Sequence, residues 1–155
     1  MLSDDPVLSG DERAFLEGTR RAVLATIAPD GRPRLIPICF VLDPDRPVLY
    51  SPLDEKPKSI DDTMRLARVR DILADPRVSI LVDRWDEAWA NLAWLRCHGH
   101  ATVLAAGAEA PDERGPVIES LRRKYPQYAT HQLERLPVIR IVLERATSWG
   151  PLGSS

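Results

Sequence analysis

Cysteine is scarce in this chain: Cys39 and Cys97 are its only two among 155 residues. Each sits in strand-like sequence, where a free thiol serves as a small buried hydrophobe, and their spacing is not that of a paired metal ligand. Long apolar runs are missing as well. The longest, such as Ile36 to Leu42, fall far short of the about 20 residues a helix needs to cross a bilayer. The first ten residues carry Asp4, Asp5 and Pro6 where a secretory signal would need a basic start and an apolar core, so a cytoplasmic protein is expected. No basic excess stands out either. A formal net charge of −2 and a pI near 5.9 argue against a dedicated nucleic-acid binder. Nor is there a nucleophile elbow, a Walker loop or a glycine fingerprint for dinucleotides, so hydrolase, NTPase and dinucleotide-fold readings find no support.

With 44% hydrophobic and 28% charged residues, the chain has the balance of one soluble domain, expected to span residues 1–155. Ser9 and Glu12 form a capping-box pattern ahead of a short helix ending near Gly18. Strands are expected at Arg21–Ala28, there as a nearly continuous apolar run suited to burial on both faces, and at Arg34–Leu42 and Val48–Leu53. The turn sequences Pro29-Asp30-Gly31-Arg32 and Asp43 to Pro47 separate them. Further strands are expected at Arg77–Asp83, Leu92–Ala105 and Pro137–Thr147, with Gly99 a candidate bulge. The pattern predicts one helix over Ser59–Leu73, capped by Ser59, and another opening at Gly115-Pro116 and stopped by Pro126. Pro37 cannot donate a ladder bond, so its strand should lie at an edge, a bulge or a ligand. The first three strands follow one another in meander order, and six short strands with helices between them predict an α+β fold built on a six-stranded antiparallel, nearly closed barrel: residues 1–20 lead in, 21–149 form the barrel and 150–155 a tail.

The stretch Tyr50-Ser51-Pro52-Leu53-Asp54-Glu55-Lys56-Pro57-Lys58-Ser59 carries the clearest chemistry. Two lysines and two hydroxyls, Ser51 and Ser59, converge on an expected helix start, where unsatisfied N–H groups already favour an anion such as phosphate. The plainer alternative is that Lys56 and Lys58 are solvated beside Asp54 and Glu55, with Ser59 acting only as a cap.

Over most of its length the sequence resembles a known series of motifs. Ala25-Thr26 precedes Asp30-Gly31-Arg32-Pro33; then come Pro37 and Phe40, the Ser51/Lys56/Lys58/Ser59 segment, Asp75-Pro76-Arg77-Val78 and Leu81-Val82-Asp83. In that order they are similar to the pyridoxamine 5'-phosphate oxidase-like split β-barrels, and within them to the branch dependent on coenzyme F420, a deazaflavin. The resemblance implies a homodimer with the cofactor in a groove at the subunit interface and its phosphate held at Ser51, Lys56, Lys58 and Ser59. It also implies that the strand from Arg34 through Pro37 to Phe40 runs beside the ring system, although the family often has a polar residue where this chain has Pro37. An F420-dependent oxidoreductase transferring hydride to a small conjugated or heterocyclic substrate is the leading expectation. Flavin mononucleotide (FMN) in place of F420, and a flavin or tetrapyrrole carrier without turnover, are the alternatives. No catalytic side chain is assigned.

Other conspicuous residues have bland readings beside functional ones. Trp85, Trp89 and Trp94 suit a ring-binding groove or a dimer seam, and equally core packing. Trp149-Gly150 resembles a C-terminal tryptophan that approaches the cofactor in oxidase-type relatives. His98 and His100 share a strand face but lack a third ligand, His131 being distant, so no metal is expected. Arg65, Arg68, Arg70, Arg122 and Arg123 fit solvated helix faces, or the acidic tail of the deazaflavin coenzyme.

Overall fold

The computed structural model describes residues 6–53, 65–106 and 111–153. Helix α1 (Gly10–Gly18) is opened by the expected capping box: the Glu12 amide donates to Ser9 Oγ, and Glu12 returns a carboxylate to the Ser9 amide. Seven strands follow: β1 (Ala22–Ile27), β2 (Pro33–Ile38), β3 (Val41–Leu42), β4 (Val48–Pro52), β5 (Arg77–Arg84), β6 (Ala93–Leu104) and β7 (Val138–Trp149). Helix α2 (Ala67–Ala74) precedes β5, and α3 (Pro111–Lys124) lies between β6 and β7.

The strands form one antiparallel sheet in the order β2-β1-β5-β6-β7-β4-β3. Its two edge strands are successive pieces of one chain run, joined only by Cys39 and Phe40. Three virtual bonds of 3.8 Å bring the edges within about 11 Å of each other, so the sheet must curl into a barrel split along that seam. This is the α+β split-barrel class expected, with seven strands in place of six. The extra strand arises because Arg34–Leu42 is not one strand: its first part pairs with β1 and its last two residues pair with β4. As β2 is an edge, Pro37 withholds its N–H where no neighbour needs it.

Side-chain alternation sets the two faces of the sheet. Leu24, Leu49, Ile80, Leu95, Ile139 and Ile141 fill the interior with Phe40 and Leu16. In β1 the residues alternate between buried and half-buried, so the apolar run Arg21–Ala28 is not covered equally on both sides. Outside the barrel, α3 lays Val117, Ile118 and Leu121 over Val41, Val48, Tyr50 and Val138. Among the described residues no helix packs on the neighbouring outer face of β2-β1-β5-β6, where Leu35 and Leu81 are exposed.

At Gly99 the β6–β7 register shifts, as the glycine predicted. A Cβ there would stand 2.2 Å from the Val142 carbonyl oxygen. Helix α3 begins at Pro111, ahead of the Gly115-Pro116 start, so Pro116 lies inside the helix. Expected helix residues Ser59 to Met64 lie outside the described residues. A turn at Arg65 and a bend at Leu66 break the predicted span before α2, as Leu66 adopts an extended ψ of 138° and packs against the core.

Candidate functional site

Thr26 and Arg34 stand opposite each other in the β1–β2 register. Both reach one oxygen of α2: the Thr26 hydroxyl and Arg34 Nε each donate to Asp71 Oδ2 at 2.7 Å. Asp71 and Thr26 are buried, whereas the Arg34 side chain keeps 41% of its surface. Between the β1–β2 turn and α2 lies a groove of about 470 Å³, lined by Ala28, Pro29, Arg34, Ala67, Arg70 and Ala74 among others. The turn itself depends on Gly31, whose φ of 82° lets its amide close onto the Ala28 carbonyl at 2.8 Å.

The other expected site residues occupy different surfaces. Pro37 points outward from the opposite face of β2 and is exposed. Phe40 is fully buried in the core. Its amide donates to the Tyr125 hydroxyl at 3.0 Å, so that N–H serves the fold. Ser51 is buried on the inward side of β4, on the same face as Leu49 and Leu53. Lys56, Lys58 and Ser59 lie outside the described residues. The chain leaves β4 through Leu53 and is described again from Arg65, two residues before Ala67 at the groove.

A second groove, of about 520 Å³, crosses the uncovered outer face and is lined by Val23, Leu35, Leu81, Trp94 and Arg96 among others. Trp94 is the register partner of Trp149, and the Arg96 guanidinium lies 5.5 Å from the Trp94 ring centre. Trp85 and Trp89 are exposed nearby in sequence, and Trp85 donates to Glu87 at 3.0 Å. His98 Nδ1 contacts Ser79 Oγ at 2.6 Å, while His100 pairs with Glu144. Among the described residues no three potential ligands gather to hold a metal.

Sequence patterns missed two polar clusters. In one, the Tyr50 hydroxyl donates to Glu113 at 2.7 Å and accepts from Arg46, and Arg140 donates to both Glu113 oxygens. Burial, then the hydrogen bond to Glu113, pushes the Tyr50 phenol up to about 12. Burial opposes the Glu113 charge, but the Tyr50 and Arg140 bonds outweigh it and hold that carboxyl below its usual range. The other cluster is the Asp71 clamp. Its one signal was an acid four residues after Ala67, on the helix face that otherwise turns inward.

The curled sheet, the split seam and the covering helix define a split β-barrel. Residues 8–150 match the pyridoxamine 5'-phosphate oxidase family, and the chain belongs to it. Among solved structures it is similar to a conserved hypothetical protein of Mycobacterium tuberculosis, at 23% identity and TM-score 0.72 over 97% of this chain and 89% of that one. The heme storage protein HutZ of Vibrio cholerae is 16% identical, with TM-score 0.66 over 92% and 94% of the two chains. An F420 reductase is 20% identical, with TM-score 0.61 over 87% and 94%. At these identities the likeness is one of fold.

Proposed function

We propose that this protein is an oxidoreductase that binds coenzyme F420 and acts as a homodimer. Its family supports a flavin-type cofactor, and the F420 reductase neighbour supports the deazaflavin. The observation that carries the reading is the groove between the β1–β2 turn and α2. Apolar walls from Ala28, Pro29, Ala67 and Ala74 meet two guanidinium groups there, and the chain re-enters beside it from the Lys56/Lys58 segment. Its volume, and that of the outer-face groove, fall within the about 300–1,000 Å³ usual for cofactor sites. The residues present therefore fit a flat ring system bearing a phosphate.

In this reading Lys56, Lys58 and Ser59 hold the phosphate and Arg34 adds a cation from β2, whereas Ser51, buried on the inward side of β4 and expected from the sequence to join them, serves the barrel instead. Pro37, on the opposite face of β2, stands away from this groove, and Phe40 supports the strand from within the core. When bound, the deazaflavin supplies hydride transfer; the protein binds, orients and excludes water. The second subunit covers the outer face of β2-β1-β5-β6, where Leu35 and Leu81 are exposed.

Titration of the purified protein with F420 and with FMN tests the reading. Charge-assisted phosphate bonds are each worth about 1.5–3 kcal/mol, so Lys58→Ala, or Lys56→Ala, should weaken binding roughly ten- to hundredfold with the fold intact. Unchanged affinity in both variants removes the assigned phosphate site. Tighter binding of FMN transfers the same site to that cofactor. The likeness to a heme storage protein favours one further reading, tetrapyrrole binding without turnover. Oxidation of the reduced coenzyme against enones, quinones and biliverdin separates the two, since tight binding with no oxidation points to a carrier.

A further inference from the structure

A guanidinium group carries five N–H donors in one plane, so engaging Nε alone fixes that plane and leaves four donors on the terminal nitrogens. Arg34 is held in this way. Its Nε donates to Asp71 Oδ2, the same oxygen that accepts from Thr26, and Asp71 is buried. Among the described residues no acceptor takes the terminal nitrogens of Arg34, which lines the groove beside α2. Ala67, Arg70 and Ala74 meet it there on one helix face, at i, i+3 and i+7.

The charges around the groove do not cancel locally. Asp71 is committed to Arg34, and Asp75 is committed to Arg77, which donates from Nε at 3.1 Å and from a terminal nitrogen at 2.7 Å. The exposed Arg70, which lines the same groove as Arg34, is then left in excess.

We propose that Asp71, steadied by Thr26, is a positioning residue that holds Arg34 for this groove, and that the groove takes an oxyanion, phosphate or carboxylate, carried on an apolar body. The bare ion alone would leave Ala28, Pro29, Ala67 and Ala74 uncovered. An apolar body with one anionic end satisfies both walls and cations. The inference rests on the cofactor reading only for the identity of the natural ligand.

The test is an NMR titration of the full chain with phenyl phosphate and with benzoate, using benzyl alcohol as the neutral control. The two anions should shift the amides of Gly31, Ala67 and Ala74, and benzyl alcohol should not; shifts from phenyl phosphate alone specify phosphate. Losing one charge-assisted contact should cost about tenfold in affinity for Arg34→Met, and about three- to tenfold for Asp71→Asn. Positioning predicts that Asp71→Asn changes nothing further once Arg34→Met is present. An equal loss in that background, or equal binding of benzyl alcohol, overturns the proposal. Melting temperatures report folding, and Thr26→Val, with the same non-additivity expected, substitutes should Asp71→Asn not fold. Phenyl phosphate binding without F420 binding overturns the cofactor reading alone, whereas F420 binding with no anion response in this groove overturns this inference alone.

Discussion

The Tyr125 hydroxyl accepts the Phe40 amide hydrogen at 3.0 Å, and it lies 2.7 Å from the Arg20 carbonyl and 3.0 Å from the Phe40 carbonyl, either of which can take its proton. It thus clasps the short link that joins the two edges of the sheet. Tyr125→Phe keeps the ring and removes the acceptor, leaving the Phe40 N–H in a protected place without a partner. A loss of about 1–3 kcal/mol of unfolding free energy is expected, read as a lower urea midpoint with unchanged m-value. No change in midpoint would mean that water replaces the hydroxyl at no cost.

Much of the barrel was legible because alternation and turn residues mark where a strand begins and ends. Val78, Ile80 and Val82 alternate with Ser79, Leu81 and Asp83, and Gly99 announced its bulge. The break between β2 and β3 left no such mark. Ile36 to Leu42 is continuously apolar, and what divides it is a partner 85 residues away, Tyr125. The site was less legible for the same reason. Ser51 stood out by type and neighbourhood, yet its inward direction follows from the phase of β4. Asp71 became visible only when a helix laid it against a hairpin 37 residues earlier.

Gly99 offers a sharper test of the bulge. A methyl group there would meet the Val142 carbonyl oxygen at 2.2 Å and its carbon at 3.0 Å, and both are backbone atoms that cannot rotate away. Gly99→Ala must therefore shift β6 against β7. Overpacking of this kind costs about 1–3 kcal/mol, occasionally more. Thermal and urea unfolding should show the loss, with the largest NMR shift changes at Val142 and Leu143. Wild-type stability would mean that the two strands slide freely at this point.

Lys124 gives a pH-dependent prediction. Its Nζ lies 3.9 Å from the centre of the Phe40 ring. Burial, and then the nearby Arg20 charge, lower its pKa from 10.5 to about 8. The folded protein releases this proton near pH 8, while the unfolded chain keeps it until about 10.5. Between those values the unfolded state binds more protons, so this group's contribution to stability rises with pH. Lys124→Met should hold a melting-temperature advantage over the wild type at pH 7 that shrinks toward pH 10. The chain has only three lysines, Lys56, Lys58 and Lys124, so carbon NMR of the lysine side chains can follow the titration directly. A midpoint near 10.5 for Lys124 would overturn the prediction.

The uncovered outer face is where the proposed dimer can be broken without touching the core. Leu35 is 65% exposed and Leu81 42%. Both line the groove that Val23 and Trp94 share, whereas the interior is filled from the other side of the same strands. A specific dimer buries about 800 Å² on each partner, with its apolar residues at the centre. A carboxylate placed there would be desolvated opposite its own symmetry mate. Leu81→Glu combined with Leu35→Glu should therefore convert a dimer to a monomer by light scattering, with melting behaviour that no longer depends on protein concentration. Should the wild type already run as a monomer, or the double variant keep the dimer mass, the second subunit does not sit on this face.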